Sequence, residues 1–278
     1  MTDKTRVKIT ADDFGMSESV DSAILSLAKE NALTHASALV TYKGCQLAIK
    51  RCKEEAPALK IGLHLNLVTG KSVKSKNGIL CDENGFFKNG FVKLLFFSII
   101  KPQKLRIEVY NEVIAQIRLL RSYGASVCYL DSHRHVHYIP LIYSEATRAA
   151  KDEGIMEIRT INEPFIPYFK SPYLLTCLFH INFLKYVVIH ALGLFNKHKE
   201  ERIFISMIMS CRLNKKYILK YLKYIDVNKK IEIMVHPADK ATSKNYENYE
   251  EADLAHLNSI NRRREKDVCI FLKDFGNA

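Results

Sequence analysis

Short apolar runs alternate with amphipathic segments along most of this chain, and this alternation predicts a parallel α/β sheet. The runs that predict strands lie at residues 7–10, 38–41, 62–66, 127–130, 156–159, 202–209, 231–235 and 268–272. Helical spacing of apolar residues predicts helices over residues 18–28, 45–53, 106–122, 140–153, 215–224 and 250–263. Such a sheet either closes into a barrel or stays open with helices on both faces.

Polar residues stand at the carboxyl ends of several predicted strands, which favours the barrel. They are Asp12, Asp13, His64, Asp131, His133, Arg159 and His236. In an α/β barrel these ends converge on one mouth, where active sites form. No glycine-rich nucleotide-binding motif follows the first strand, which weakens the dinucleotide and nucleotide alternatives. We therefore predict an irregular α/β barrel in one domain, residues 1–278, with apolar insertions at about residues 70–104 and 164–200.

Composition and charge narrow the cellular context. The 278 residues suffice for one large core, and the seven cysteines are scattered without a CxxC pair. A reducing compartment fits that pattern and the first residues do not resemble a signal peptide, so we expect a cytoplasmic protein. The net charge of +12 favours anionic partners. No nucleic-acid motif is present, so nucleic acid is not expected as a partner. The basic cluster of Arg262, Arg263, Arg264 and Lys266 is interpreted as a solvated helix end.

The densest group of ionisable residues lies at residues 131–137. Its members Asp131, His133, His135 and His137 recur at every second position. In an extended chain alternate side chains share one face roughly 6.5 Å apart, so two imidazoles there could reach one metal ion. For any single histidine, a polar loop with backbone hydrogen bonds is the alternative. Three histidines beside an aspartate at a strand end make a metal or acid–base site the better interpretation.

The other polar strand ends each have a plainer alternative as well. Asp12 and Asp13 could form a turn or a helix cap, His64 could be a hydrogen-bonded core histidine, and His236 could cap a strand. Adjacent side chains of an extended segment point apart, so the two carboxylates would have different roles. A carboxylate with two imidazoles leaves coordination positions open, as hydrolytic metal sites require. A water on the metal would be the nucleophile, a second carboxylate would accept its proton, and a histidine would protonate the leaving group.

Four short motifs recur in an order and spacing that point to a family. They are Ala11-Asp12-Asp13-Phe14-Gly15, Gly62-Leu63-His64-Leu65-Asn66, Leu130-Asp131-Ser132-His133-Arg134-His135-Val136-His137 and Val235-His236-Pro237. Together they resemble the YdjC-like carbohydrate deacetylases, which include chitooligosaccharide deacetylases and hopanoid-biosynthesis-associated members. The resemblance covers roughly residues 7–275. It implies a distorted TIM-like barrel and divalent-metal-dependent removal of an acetyl group from an N-acetylated sugar.

The resemblance also implies a role for each matching residue. Asp13, His64 and His133 would be the metal ligands, with Mg²⁺ and Zn²⁺ both compatible with such a donor set. Asp12 would be the general base. His236 would be the acid that protonates the departing amine.

The remaining polar residues of these motifs would support that machinery. Asp131 would orient a ligand imidazole, as carboxylates behind metal-binding histidines do, and Arg159 would hold the base carboxylate in its ionised form. The alternating spacing would pair His133 with His135, whereas the resemblance pairs His133 with His64. Following the family, we expect His135 and His137 to contact a metal-binding residue or to face the substrate.

Two features depart from what such an enzyme needs. Ala238 follows His236-Pro237 where the family tends to have glycine. The insertions also contain two strongly apolar stretches, residues 91–100 and 173–195, bordered by lysines. Core packing is one interpretation of these stretches. The other is that they seat the enzyme on an anionic membrane surface beside a lipid-linked amino sugar.

Two other classes of function remain open at this stage. One is a different metal-dependent barrel hydrolase such as a phosphoesterase, which the positive charge would suit. The other is a non-catalytic carbohydrate- or lipid-binding protein on the same scaffold, which the retention of both carboxylates and three histidines argues against. The expected substrate is an N-acetylated sugar, either as an oligosaccharide or as a glycolipid.

Overall fold

Seven parallel strands in one sheet form the centre of the fold. The computed structural model describes residues 7–170, 174–196, 202–226, 228–240, 257 and 259–275. The strands are β1 Val7–Phe14, β2 His35–Ala38, β3 Lys60–Leu65, β4 Val127–Ser132, β5 Glu157–Ile158, β6 Ile203–Ile205 and β7 Ile231–Val235. Their order is β5-β4-β3-β2-β1-β7-β6, and the sheet curls into a half-barrel flanked by helices. This confirms the predicted α/β barrel-like class.

The strand order places β1, the first of the described strands, beside β7, the last of them. β1 pairs with β2 on one side and with β7 on the other, so Ala11 lies opposite both Ala36 and Val235. On the next pair of strands, His64 lies opposite Asp131. Because all the pairings are parallel, the carboxyl ends of β1, β3, β4 and β7 meet at one edge, which we call the mouth.

The strands β5 and β6 stand at the two edges of the sheet, and the chain after β5 comes back towards β6. Phe204 donates its backbone N–H to the carbonyl of Asn162, with 3.0 Å between nitrogen and oxygen. Glu163 then accepts hydrogen bonds from the backbone N–H groups of Ser206 and Ile208, at 2.8 and 3.1 Å. The segment after β5 therefore bridges the gap that a closed barrel would fill with further strands.

Helices cover the outside of the sheet. They are α1 Glu18–Lys29, α2 Cys45–Glu55, α3 Phe91–Ile100, α4 Pro102–Ser122, α5 Pro140–Asp152, α6 Ile166–Phe169, α7 Leu174–Leu178, α8 Ile181–Gly193, α9 Lys215–Leu222 and α10 Ile260–Phe275, with a 3₁₀ turn at His133–Tyr138. Ser17 caps α1 as predicted, since its side chain accepts a hydrogen bond from the Val20 backbone N–H. Gly124, at φ 87°, follows the end of α4.

One predicted element is wrong. The apolar run at residues 268–272 lies inside helix α10 and is not a strand. The buried residues of α10 are Arg262, Glu265, Val268, Cys269 and Leu272, and their spacing is that of a helix face. The start of the helix predicted at residues 250–263 lies outside the described residues. Because the five residues from 268 to 272 are all apolar, the helical repeat could not be recognised within that run. A smaller difference concerns β2, which lies at His35–Ala38 and so begins three residues before the predicted strand at 38–41.

The two apolar stretches are mainly helical and largely outside the core. In α3 Leu94 is buried, while Val92 and Ile99 are 78% and 73% exposed. In α8 the buried residues are Asn182 and Ile189. Core packing therefore accounts for one side of these helices, where Phe91, Leu95 and Phe97 of α3 and Phe183 and Tyr186 of α8 also pack against the core. Residues 171–173, which include the start of the second stretch, lie outside the described residues.

Candidate metal centre at the mouth of the sheet

The adjacent carboxylates at the end of β1 point to different neighbours. The pairing of β1 with β2 shifts register between Ala11 and Phe14, and Asp13 has a left-handed backbone at φ 69°. A non-glycine residue in that region is held there by its surroundings. Asp12 faces the side of β7 and Arg159, while Asp13 faces the histidines that follow β3 and β4. Both are buried, at 0% and 3% exposed.

Asp13, His64 and His133 form a compact trio. Asp13 Oδ1 lies 3.7 Å from His64 Nε2 and 3.3 Å from His133 Nδ1. The three potential ligand atoms all lie within 4.8 Å of one another. Ligand atoms about 2.1 Å from a tetrahedral ion stand roughly 3.4 Å apart, so the trio is close to the spacing a divalent cation requires. The donor set and its geometry therefore fit a metal ion.

The His64 ring is held by a carboxylate behind it. Asp131 Oδ1 lies 2.6 Å from His64 Nδ1, which leaves Nε2 facing Asp13. Burial alone would lower the pKa of His64, but the charges of Asp131 and Asp12 outweigh it and raise this pKa. A carboxylate on the far nitrogen is the usual support of a metal-binding imidazole. Asp131 thus contacts one of the two imidazoles that the resemblance implies as metal ligands.

Arg159 binds the carboxylates around it from the centre of the cluster. Its Nη1 and Nη2 donate to Asp12 Oδ2 and Oδ1, both at 2.7 Å, in a bidentate fork. Nη2 also lies 2.7 Å from Asp131, and Nε donates to Glu232 at 2.8 Å. Burial alone would lower the pKa of this guanidinium, but the surrounding carboxylates raise it well above its ordinary value. Asp12 is therefore held in one orientation by a permanent positive charge.

A second arginine reaches the cluster from the opposite end of the chain. Arg262 in α10 is 0% exposed, and its Nη2 donates to Asp13 Oδ2 at 2.7 Å. Burial alone would raise the pKa of Asp13, but a hydrogen bond from His133 and the charge of Arg262 hold this pKa well below its ordinary range. The interpretation of the basic cluster as a solvated helix end is therefore wrong for Arg262. Arg263 and Arg264 are exposed, as that interpretation expected, but they lie in the first turns of α10 and not where a helix ends.

His236 lies at the end of β7 beside the same cluster. Its backbone N–H donates to Glu265 Oε2 at 2.6 Å, and its ring Nδ1 lies 3.6 Å from the same oxygen. Burial alone would lower the pKa of His236, but interactions with Cys211 and Glu265 raise it well above its ordinary value. The ring keeps a small accessible fraction, with 11% of the side chain exposed. This is a histidine that could donate a proton next to Asp13.

The histidine-rich segment does not follow the predicted alternation. β4 ends at Ser132, and the 3₁₀ turn that follows has left-handed backbone at Arg134 and His135, with φ of 54° and 56°. The extended arrangement assumed for residues 131–137 therefore ends after two residues. His133 and His135 do not share a strand face. This is why His133 pairs with His64 from the neighbouring strand, as the family resemblance implied.

His135 and His137 have different surroundings. His137 is buried, with Nδ1 2.5 Å from the Ser132 hydroxyl and Nε2 3.2 Å from the Arg159 carbonyl, so it braces the turn. His135 has a buried Nδ1 with no hydrogen-bond partner among the described residues. Burial, followed by the charge of Arg159, holds the pKa of His135 well below its ordinary value. His135 is therefore the one of the pair with a free polar atom near the cluster.

Sequence reasoning missed three residues that hold the site together. Arg262, Glu265 and Glu232 are each 1% exposed or less. Glu232 could have been found, since it is the one charged residue in the otherwise apolar strand β7. For Arg262 and Glu265 the signal was their place on the buried face of α10, which the incorrect strand prediction concealed.

Two comparisons with known proteins bear on the family and the fold of this chain. A sequence model of the family described as "YdjC-like protein" matches residues 6–274. Among solved structures, a protein from Enterococcus faecalis V583 described as a "putative cellobiose-phosphate cleavage protein" superposes with a TM-score of 0.65. The superposition covers 96% of this chain and 91% of the other, at 23% sequence identity, so it supports the fold.

Proposed function

Because this chain belongs to the YdjC-like family, we propose that it is a divalent-metal-dependent deacetylase acting on an N-acetylated amino sugar. The observation that carries the proposal is the trio of Asp13, His64 and His133, whose ligand atoms lie within 4.8 Å of one another. Beside the trio stand a fixed carboxylate, Asp12, and a histidine, His236. These five groups are the parts that metal-assisted amide hydrolysis requires.

The metal would be held by Asp13 Oδ1, His64 Nε2 and His133 Nδ1, the atoms that face one another in the cluster. A divalent ion there supplies a Lewis acid that polarises the amide carbonyl and lowers the pKa of a water molecule. Three protein ligands leave coordination positions for substrate and water, as in other catalytic sites. Arg262 fixes the second oxygen of Asp13 and so sets the direction in which Oδ1 points.

Asp12 is suited to accept the proton of the attacking water. The bidentate fork of Arg159 fixes its plane, yet each carboxylate oxygen has a further lone pair for an incoming proton. Removal of this proton produces the oxygen nucleophile that adds to the carbonyl carbon. A base that is already fixed in this way loses little conformational entropy when it accepts the proton.

His236 is suited to the second proton transfer. When the C–N bond breaks, the sugar nitrogen needs a proton to leave as an amine, and the His236 ring supplies it. The carboxylate of Glu265 lies 3.6 Å from Nδ1 and stabilises the charged ring before that step. The products are an amino sugar and acetic acid, which ionises to acetate; Asp12 has gained one proton and His236 has lost one, so transfer of a proton from Asp12 to His236 through solvent restores the starting state.

The direct test is acetate release from N-acetylglucosamine oligomers and N-acetylated glycolipids, with and without a chelator, followed by return of Zn²⁺ or Mg²⁺. Phosphate release from sugar phosphates is measured in parallel, because the structural neighbour carries a name that refers to cellobiose phosphate. We expect acetate release that the chelator abolishes and a divalent ion restores. Phosphate release without acetate release would instead assign a phosphoesterase.

Two variants separate metal binding from proton transfer. We expect Asp12→Asn to lower turnover about 10²–10⁴-fold while the protein keeps its normal metal content. We expect His133→Ala to lose both its turnover and its bound metal. Asp152→Asn, which changes an exposed carboxylate on α5, is the matched control and should behave as the parent. Normal metal occupancy in the His133→Ala protein would contradict the ligand assignment.

A further inference from the structure

Many of the most exposed apolar side chains of the described residues lie on four helices or directly after them. We call these helices, α3 together with α6, α7 and α8, the apolar rim. The rim residues at least 46% exposed are Val92, Phe96, Ile99, Ile100, Ile166, Phe169, Leu175, Phe179, Ile181, Leu184, Val187, Leu194 and Phe195. So many large exposed apolar side chains on neighbouring elements are unusual on a monomeric protein and mark an interaction surface.

The exposed residues of the rim repeat with helical spacing. Val92, Phe96 and Ile99 follow the i, i+4, i+7 pattern on α3, and Ile181, Leu184 and Val187 share one side of α8. The helices α3 and α8 thus present an apolar stripe to solvent, while other residues of each helix pack against the core. Such a stripe is what an amphipathic helix inserts into the interface of a bilayer.

The rim borders the mouth that contains the candidate metal centre. On α8, the Tyr186 hydroxyl donates to the carbonyl of Glu163 at 3.0 Å, and Asn196, just beyond the helix, donates to the carbonyl of Tyr138 at 3.3 Å. These two carbonyls belong to the segments that follow β5 and β4. On α3, Phe91 packs against the same small cluster of buried residues as Tyr186 does. A surface docked on the rim would therefore lie beside the mouth.

The two sequence intervals that contain the rim carry charges of one sign. Between Glu83 and Glu108 the sequence has no acidic residue, and the same holds between Glu163 and Glu200. The basic residues within these intervals are Lys88, Lys93, Lys101, Lys104, Arg106, Lys170, Lys185, Lys197 and Lys199. An apolar surface whose own segments carry basic residues and no acidic ones is complementary to anionic lipid. A second copy of the chain would instead bring like charges face to face.

We propose that the apolar rim docks this protein on an anionic lipid membrane, with the mouth beside the lipid headgroups. The helices would lie in the interface, and among the described residues no helix has the length and apolar character to cross a bilayer. Docking of this kind needs the two signals that the rim combines, apolar insertion and attraction to negative charge. The proposal does not depend on deacetylation, because membrane binding is measured without turnover.

The test is flotation of the full chain with phosphatidylcholine vesicles that contain or lack about a third of phosphatidylglycerol. We expect at least about 10-fold stronger binding to the anionic vesicles, since each lysine near such a surface adds roughly fivefold. High salt should reduce this difference because it screens the charges. Equal binding to both vesicles, or no binding to either, would overturn the proposal.

Variants on two helices locate the surface. Phe96→Glu on α3 and Leu184→Glu on α8 should each lower binding to anionic vesicles about 10-fold, because each replaces an inserted apolar group with a negative charge. Met156→Glu is the matched control, since Met156 is 73% exposed but precedes β5 at the opposite end of the sheet from the mouth. An unchanged melting temperature shows that each variant is folded.

Self-association is the competing outcome. Sedimentation of the unmodified chain without lipid should show a monomer over a range of concentrations. A concentration-dependent dimer that Phe96→Glu and Leu184→Glu abolish, together with no preference for anionic vesicles, would assign the rim to contacts between copies and overturn the membrane proposal.

Discussion

The mouth of the sheet and the apolar rim beside it place their side chains in opposite ways. At the mouth, Arg159, Asp12 and Asp131 are at most 1% exposed although all are charged groups. On the rim, Phe179 and Leu194 are 87% and 86% exposed although both are large and apolar. Both reverse the usual distribution, in which charges stay in water and large apolar side chains are buried. The comparison teaches that the fold's own stability explains neither region, and that each points to something the protein binds.

The largest expected effect comes from breaking the mouth at its centre. Arg159→Leu would leave three buried carboxylates without their shared cation, so we expect the free energy of unfolding to fall by about 3–5 kcal/mol. Urea unfolding followed by circular dichroism measures this loss. The control is Arg118→Leu, because Arg118 is 70% exposed and its ion pair with Glu153 is worth at most about 1 kcal/mol. Similar losses in both variants would mean that burial does not distinguish the two pairs.

A smaller and more selective effect is expected at Arg262. Because its guanidinium donates to Asp13 Oδ2, Arg262→Gln should lower affinity for a divalent ion about 10–100-fold, as loss of a group behind a ligand does. Titration of the metal against a competing chelator measures this affinity. Arg263→Gln changes an exposed neighbour in the same helix and should leave it unchanged. Arg262→Lys keeps the charge, so its partial recovery would separate positioning of Asp13 from a general loss of structure.

The smallest expected effect lies on the rim. Phe179→Ala should change the free energy of unfolding by no more than about 0.5 kcal/mol, since the ring is 87% exposed. Phe204→Ala, at a ring that is 0% exposed, should cost about 3–5 kcal/mol. Chemical denaturation of both variants makes the comparison. A large loss at Phe179 would show that the rim stabilises the fold and that its exposure is no sign of a partner.

Much of the fold could be predicted because its signals are local. The strand at Ile231–Val235 and the start of α1 after Ser17 followed from apolar spacing and from a helix cap. Helix α10 was partly misread because the run from Val268 to Leu272 is apolar enough for a strand, and the buried face of a helix reads clearly only over a longer window. The error then concealed Arg262.

The candidate site was predictable to the extent that strand ends must converge. Asp13, His64 and His133 lie together because parallel strands place their carboxyl ends at one edge. Asp131 was expected behind a ligand imidazole from the family resemblance, whereas the contact of Arg262 with Asp13 was not predictable, since it joins distant parts of the chain. The turn after β4 was hidden for another reason. Arg134 and His135 adopt left-handed backbone without the glycine that usually announces it.

The hydrogen bond between Asp13 and Arg262 joins positions 249 residues apart. During synthesis, Asp13 is therefore made 249 residues before its partner Arg262. Early strands can pair as they emerge, but the carboxylate that would grip the ion has no cation behind it until the last helix is made. Full affinity for the metal would thus arrive late, and a chain released before α10 was made would lack the contact that orients Asp13.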